Sequence, residues 1–154
     1  RLHGPLLSRL LAGTPGLILP VEPAGAAHNW YNYTVRFDMA ALGHTHDAPA
    51  FRTRLLKALQ AEGAQATVWQ RFILPALTVF QAKNGYGHGH PWSHPAARPV
   101  SYALDQYPVA QQHCDTHVGF TTPLRSPNGP EAVELVAAAS RKVLSRLDEV
   151  ADVA

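Results

Sequence analysis

The chain has 154 residues, 46% of them hydrophobic, with 13 basic against 11 acidic side chains, nine His and a single Cys. That length suits one domain and buries roughly two-thirds of the unfolded surface, so a core forms without disulfides or metals and wholesale disorder is excluded. A net charge of +2 carried by scattered basic residues leaves no electrostatic footprint for nucleic acid. The longest apolar stretch, Leu17 to Val21 with Pro20 inside it, falls far short of the ~20 residues a membrane span requires, so no membrane partner is expected. Cys114 has no internal disulfide partner, which points to a reducing compartment, the cytoplasm. The start at Arg1 carries neither an initiator Met nor a signal-peptide pattern, and the chain reads as a piece of something longer.

In chain order, Leu6, Leu7, Leu10 and Leu11 recur at helical spacing before Gly13 and Pro15 stop them. Leu17 to Pro20 is a short extended run, and Glu22 to Ala27 a turn. From Asn29 to Asp38, Tyr31, Tyr33, Val35 and Phe37 alternate with polar residues, predicting a strand with one face in the core. Asp47 is placed to cap a helix that starts with Pro49 in its first turn, carries Phe51, Leu55 and Leu59 on one face and closes at Gly63 in the C-cap position. Ala64 to Trp69 reads as a second strand. Gln70 to about Asp105 is rich in Gly, Pro, His and aromatic residues without a sustained period, too long for an idle connection. Tyr107 to Thr116 reads as a short helix, Val118 to Thr122 as a third strand, and Asn128-Gly129-Pro130-Glu131 as the start of one long helix with Val136, Ala139, Val143, Leu147 and Val150 along its stripe. The expected fold class is α+β, a single domain over 1–154 with a small antiparallel sheet of about three strands and helices on one side.

The histidines supply metal-ligand chemistry in number: His88, His90 and His94 in the long loop, and His113 and His117 at helical i, i+4 spacing around Cys114. Their spacing matches no zinc signature, and no Cys-x-x-Cys accompanies them, so no metal site is assigned. Cys114 between two histidines can be read as an activated thiol, but a lone Cys is more often a small buried apolar residue. Gly85-x-Gly87-x-Gly89 neither follows a strand nor opens a helix and cradles no phosphate. Trp30, Tyr31, Tyr33, Trp69, Gln70, Arg71, Tyr86, Trp92 and Arg98 can line a groove for a polar ring-shaped ligand, or the rings are core and the arginines solvated. The residues alone leave both readings open.

The run Gly16-Leu-Ile-Leu-Pro20, then His28-Asn-Trp-Tyr-Asn-Tyr-Thr-Val-Arg-Phe37, then Leu59-Gln-Ala-Glu-Gly63 and Ala66-Thr-Val-Trp69 resembles the C-terminal small domain of the DegT/DnrJ/StrS aminotransferases. Tyr107-Pro108-Val109-Ala110, Pro127-Asn128-Gly129-Pro130 and Arg141-Lys142-Val143-Leu144 are similar to that family's closing elements, so the resemblance runs from about Leu6 to Val150. It implies the fold of the small domain of fold-type I, pyridoxal-phosphate enzymes that transfer an amino group from glutamine or glutamate to a keto-sugar or keto-cyclitol. It also implies a homodimer and a large cofactor-binding domain absent from this chain. The Schiff-base lysine and the acid on the pyridinium nitrogen belong to that large domain, so no catalytic residue is assigned here and the chain alone is not expected to transaminate.

By resemblance His28, Trp30, Tyr31, Trp69, Gln70 and Arg71 are substrate-binding, with Arg71 on a donor carboxylate and Trp69 against a sugar or cyclitol ring. His88, His90, Trp92 and His94 line a pocket mouth or a dimer contact. Two alternatives stand beside this reading: a free-standing, non-catalytic module that docks on a large-domain partner, and, more weakly, a His-rich metal-dependent enzyme. Some relatives of the fold use the same cofactor for dehydration.

Overall fold

Alternate burial along Tyr33, Val35 and Phe37, 0%, 1% and 3% exposed, organises the fold around one strand face. The computed structural model describes residues 2–151, the last of them for its backbone only. Two compact units divide the chain, Gln70–Cys114 and the segments on either side of it.

In the larger unit α1 (His3–Leu11) leads to β1 (Leu17–Ile18), β2 (Thr34–Phe37) and α2 (Ala48–Ala61). After the smaller unit come β3 (His117–Gly119), α5 (Pro130–Leu144) and α6 (Leu147–Ala151). The sheet order is β1-β2-β3, antiparallel throughout, with Leu17 opposite Phe37 and Val35 opposite Val118. Leu7 and Leu11 of α1, Phe51, Leu55 and Leu59 of α2, and Val133, Val136 and Val143 of α5 join the buried face of β2 in one cluster. Thr34 and Arg36, on the other face, are half-buried. The architecture is therefore α+β, a three-stranded antiparallel sheet with helices over one face, as the alternation and the helical stripes predict. Burying each large apolar side chain contributes roughly 1.5–3 kcal/mol, which is why these stripes decide the layering.

The strands are shorter than their sequence patterns. Asn29–Asp38 contributes only Thr34–Phe37 to the sheet. Upstream, the His28 ring nitrogen accepts from the Trp30 N–H at 2.8 Å and Asn29 Oδ1 accepts from the Tyr31 N–H at 3.0 Å. These local bonds compete with the ladder, and Trp30 turns into the left-handed region at φ 56°. Tyr31 thereby leaves the core face and is 55% exposed. Ala64–Trp69 is not a strand: it pairs through one bridge, Thr67 with Gly119. Ala66 N–H turns back onto Ala64 O at 2.7 Å, and Ala66 O is taken by the Gln60 amide at 2.9 Å, so those groups are withdrawn from pairing. The third strand is instead completed by Leu17–Ile18, within the short extended run at Leu17 to Pro20.

Helix ends differ in detail. Asp47 makes no side-chain cap on α2, because its carboxylate is taken by Arg54 and His44. Gly63 lies one residue beyond the cap, at φ 84°, in a complete Schellman turn: Gly63 N–H donates to Gln60 O and Ala64 N–H to Leu59 O, each at 3.0 Å. The terminal helix is two helices, broken at Ser145, whose hydroxyl donates to Lys142 O at 2.8 Å.

The smaller unit is more ordered than an aperiodic loop. It holds α3 (Thr78–Gln81), two 3-10 turns at Leu74–Ala76 and Leu104–Gln106, and most of α4 (Pro108–Thr116). Phe80, Trp92 and Tyr102 form its aromatic centre, and the Trp92 indole N–H donates to Tyr102 OH at 2.9 Å. The Gln81 amide bridges Pro75 O and Tyr102 O, and Lys83 Nζ ties Val100 O at 2.7 Å.

Candidate functional site

Three segments of the larger unit converge on one exposed patch. Thr121 Oγ1 donates to Asn32 Oδ1 at 2.7 Å, which ties the turn before β2 to the chain leaving β3. The Thr67–Gly119 bridge fixes the approach to Trp69. On this frame Tyr31 and Trp69 meet edge to face, with centroids 6.2 Å apart and planes at 89°. The Arg125 guanidinium lies 4.8 Å from the Tyr31 ring centre. Both rings are open to water, Tyr31 at 55% and Trp69 at 61%. An exposed aromatic corner with a cation on its edge suits a ligand with a stacking face and a negative group.

His28 and Trp30 do different work. Their rings stack at 4.3 Å, and Trp30 stacks again on Tyr33 at 5.5 Å. Trp30 lies flat on Gly4 of α1, where no side chain stands between ring and backbone. The Tyr33 hydroxyl shares a 2.8 Å bond with Ser8, and burial pushes its phenol above the usual tyrosine range against the lowering pull of Ser8. This column of rings is packing that anchors the Tyr31 turn to α1. Asp47 is also anchored: the Arg54 guanidinium at 2.7 Å, more than His44 at 3.0 Å, holds its carboxyl below the usual range.

In the smaller unit the Gln70 amide donates to Phe72 O at 2.8 Å, and Arg71 is exposed. Trp92 sits in the aromatic centre, while His88, His90 and His94 are exposed on the loop around it. The His90 ring meets Tyr86 and His94 at 6.1 Å each. His113 and His117 do not share a helix, since α4 ends at Thr116 and His117 opens β3. Among the described residues no three His, Cys, Asp or Glu side chains are grouped so as to hold a metal. A groove of about 680 Å³ is bordered by Ile73, Leu74, Tyr107, Val109, His113 and Cys114. Cys114 and Ile73 are buried there, whereas Leu74 and Val109 stand 59% and 79% exposed.

No family model matches the chain, and no curated protein matches it. Solved structures do match. Among nine matching chains is S. venezuelae DesV, in an X-ray crystal structure in complex with a ketimine intermediate, at a TM-score of 0.63 and 18% identity. The alignment covers 94% of this chain and 30% of that one, so the chain spans less than a third of DesV. At that identity the likeness establishes the fold.

Among the described residues no lysine is placed to hold pyridoxal phosphate in that groove. Lys142 is paired to Glu62 at 2.7 Å, Lys83 is tied to Val100 O, Lys57 lies exposed on α2, and none of the three borders the 680 Å³ groove. No helix among the described residues is long and apolar enough to cross a membrane.

Arg125 is the member of the patch that the sequence pattern did not single out. It stands in an irregular stretch, Leu124-Arg125-Ser126-Pro127, and only the fold brings it to Tyr31.

Proposed function

We propose that this chain is the small, substrate-capping domain of a pyridoxal-phosphate-dependent aminotransferase of the DegT/DnrJ/StrS kind. The observation that carries the reading is the near-complete superposition of the chain on a 30% portion of DesV, a protein captured with a ketimine. In this reading amino-group chemistry belongs to a large domain outside these residues, because the lysines here are committed elsewhere or lie on an amphipathic helix. This chain supplies substrate contacts: Tyr31 and Trp69 offer ring faces, and Gln70 and Arg71 follow in sequence. The substrate is a keto-sugar or keto-cyclitol, the donor glutamine or glutamate, the assembly a cytoplasmic homodimer. His28 and Trp30 contribute by holding the Tyr31 turn.

The apolar side chains left in water in the smaller unit, Phe72 at 58%, Leu74 at 59% and Val109 at 79%, favour a second reading, a non-catalytic module that docks on a large-domain partner. One experiment separates the two. The complete open frame encoding this chain is expressed and purified, and its absorbance is scanned for a protein-bound pyridoxal chromophore that borohydride bleaches. Such a chromophore, with amino transfer from glutamine or glutamate to keto-sugars, supports the aminotransferase reading; a colourless protein that neither takes up the cofactor nor transfers an amino group refutes it.

A further inference from the structure

We infer that Asn84 is a site of spontaneous deamidation, at which the His-rich loop exchanges an amide for aspartate and isoaspartate, while Asn128 is protected by the fold. The inference is independent of the capping-domain reading.

Of the four asparagines in the chain, only Asn84 and Asn128 precede glycine. A glycine leaves the main-chain nitrogen unshielded by a Cβ and lets the backbone reach the torsions that close a five-membered ring. The Gly85 nitrogen attacks Asn84 Cγ and bonds to it. The Cγ–Nδ2 bond breaks, and ammonia leaves with the proton that Gly85 gives up. Water then opens the succinimide at either carbonyl, giving aspartate or isoaspartate. The net change is water in and ammonia out, with no oxidant or reductant.

The fold treats the two amides differently. Asn84 and Gly85 are exposed, whereas Asn128 and Gly129 are half-buried. The Asn84 amide nitrogen, the leaving group, makes no hydrogen bond among the described residues, while its Oδ1 accepts the Gly89 N–H at 3.1 Å. That donor sits on the oxygen where negative charge builds during the attack. The Gly85 N–H shares His90 O with the Tyr86 N–H, both at 3.0 Å, so His90 O keeps a partner when Gly85 lets go. Asn128 has the reverse arrangement. Its amide nitrogen donates to Thr122 O at 2.8 Å, and its backbone N–H to Arg125 O at 2.9 Å. Gly129 is the N-cap residue of the fifteen-residue α5, ahead of Pro130, so ring closure there would unseat the start of the helix. The Glu131 carboxylate packs against Gly129, where its charge opposes loss of the Gly129 amide proton. At position 84 aspartate keeps an acceptor for Gly89, whereas isoaspartate adds a main-chain carbon between 84 and 85. Both products put a negative charge into the loop that carries His88, His90 and His94.

The test incubates the full chain in warm, mildly alkaline buffer and follows each Asn-Gly peptide by mass spectrometry, which reads every conversion as a gain of about 1 Da. Enzymatic methylation separates isoaspartate from aspartate. In the folded chain Asn84 should convert at least about tenfold faster than Asn128, the rate ratio that one or two hydrogen bonds held against the reaction impose. In urea the two rates should converge to within about threefold. Gly85→Ala should slow conversion at Asn84 about tenfold and leave Asn128 unchanged. The added Cβ would meet His90 O at 3.4 Å and Trp92 Cζ3 at 3.5 Å, ordinary contacts that the loop accepts. Asn128 converting as fast as Asn84 in the folded chain, a rate ratio that urea does not change, no effect of Gly85→Ala, or no gain at Asn84 overturns the inference.

Discussion

Replacing Gly4 with Ala tests whether Trp30 is seated where the ring column requires. Gly4 lies buried in the first turn of α1. A Cβ there would stand 2.6 Å from Trp30 Cγ and 2.7 Å from Cε3, and closer still to Cδ2. In an open helix the same change would gain up to about 1 kcal/mol of helix propensity. Here three rigid ring atoms block it, and overpacking costs about 1–3 kcal/mol. Displacing Trp30 also loosens its stacks on Tyr33 and His28. The expected net effect is a loss of about 1–2 kcal/mol. In a Trp30→Ala background the obstruction is gone, and Gly4→Ala should turn neutral or stabilising by up to about 1 kcal/mol. Urea unfolding followed by far-UV circular dichroism gives the four stabilities without relying on tryptophan emission. If Gly4→Ala matched or exceeded the parent, or had the same effect in both backgrounds, the seating of Trp30 on α1 would be wrong.

Phe51→Ala should cost about 3–5 kcal/mol in the same assay, since Phe51 is fully buried and stacked on His44 at 3.4 Å. Ser140→Ala should stabilise by about 0.5–1.5 kcal/mol, because the Ser140 hydroxyl is buried in α5 with no hydrogen-bond partner among the described residues; a loss of stability would refute this. For Asp47 the folded carboxyl titrates below its unfolded value of about 3.9, so its stabilisation is present above that pH and is lost as pH falls through the folded value. Asp47→Asn should therefore lower stability at neutral pH and flatten the acid limb of the stability profile below about pH 4, measured by urea midpoints.

What was legible in the sequence was whatever apolar periodicity enforces. Phe51, Leu55 and Leu59, or Val136 and Val143, have one way to bury a stripe, and both helices form where the spacing put them. Strand ends were not legible, because they are set by competing local bonds. Asn29 and His28 divert the backbone before Thr34, and Ala66 folds onto Ala64. The long His-rich segment concealed a small aromatic core, since Phe80, Trp92 and Tyr102 come together from positions without a period. Tyr31 falls on the core face of the strand pattern and yet is exposed, as is Trp69, and only the resemblance puts either of them against a substrate. Arg125 carries no signal in the sequence, because only the fold brings it over the Tyr31 ring.

Thr67 and Gly119, 52 positions apart, exchange two backbone hydrogen bonds at 2.9 and 2.7 Å. Those bonds act as a drawstring: the chain at 70–114 is a pouch sewn shut at its neck. Lengthening or shortening such a pouch changes loop-closure entropy only slowly, about 0.6 kcal/mol per doubling. A change of length within 70–114 therefore leaves the sheet register, and with it the spacing of Tyr31 and Arg125, where it is.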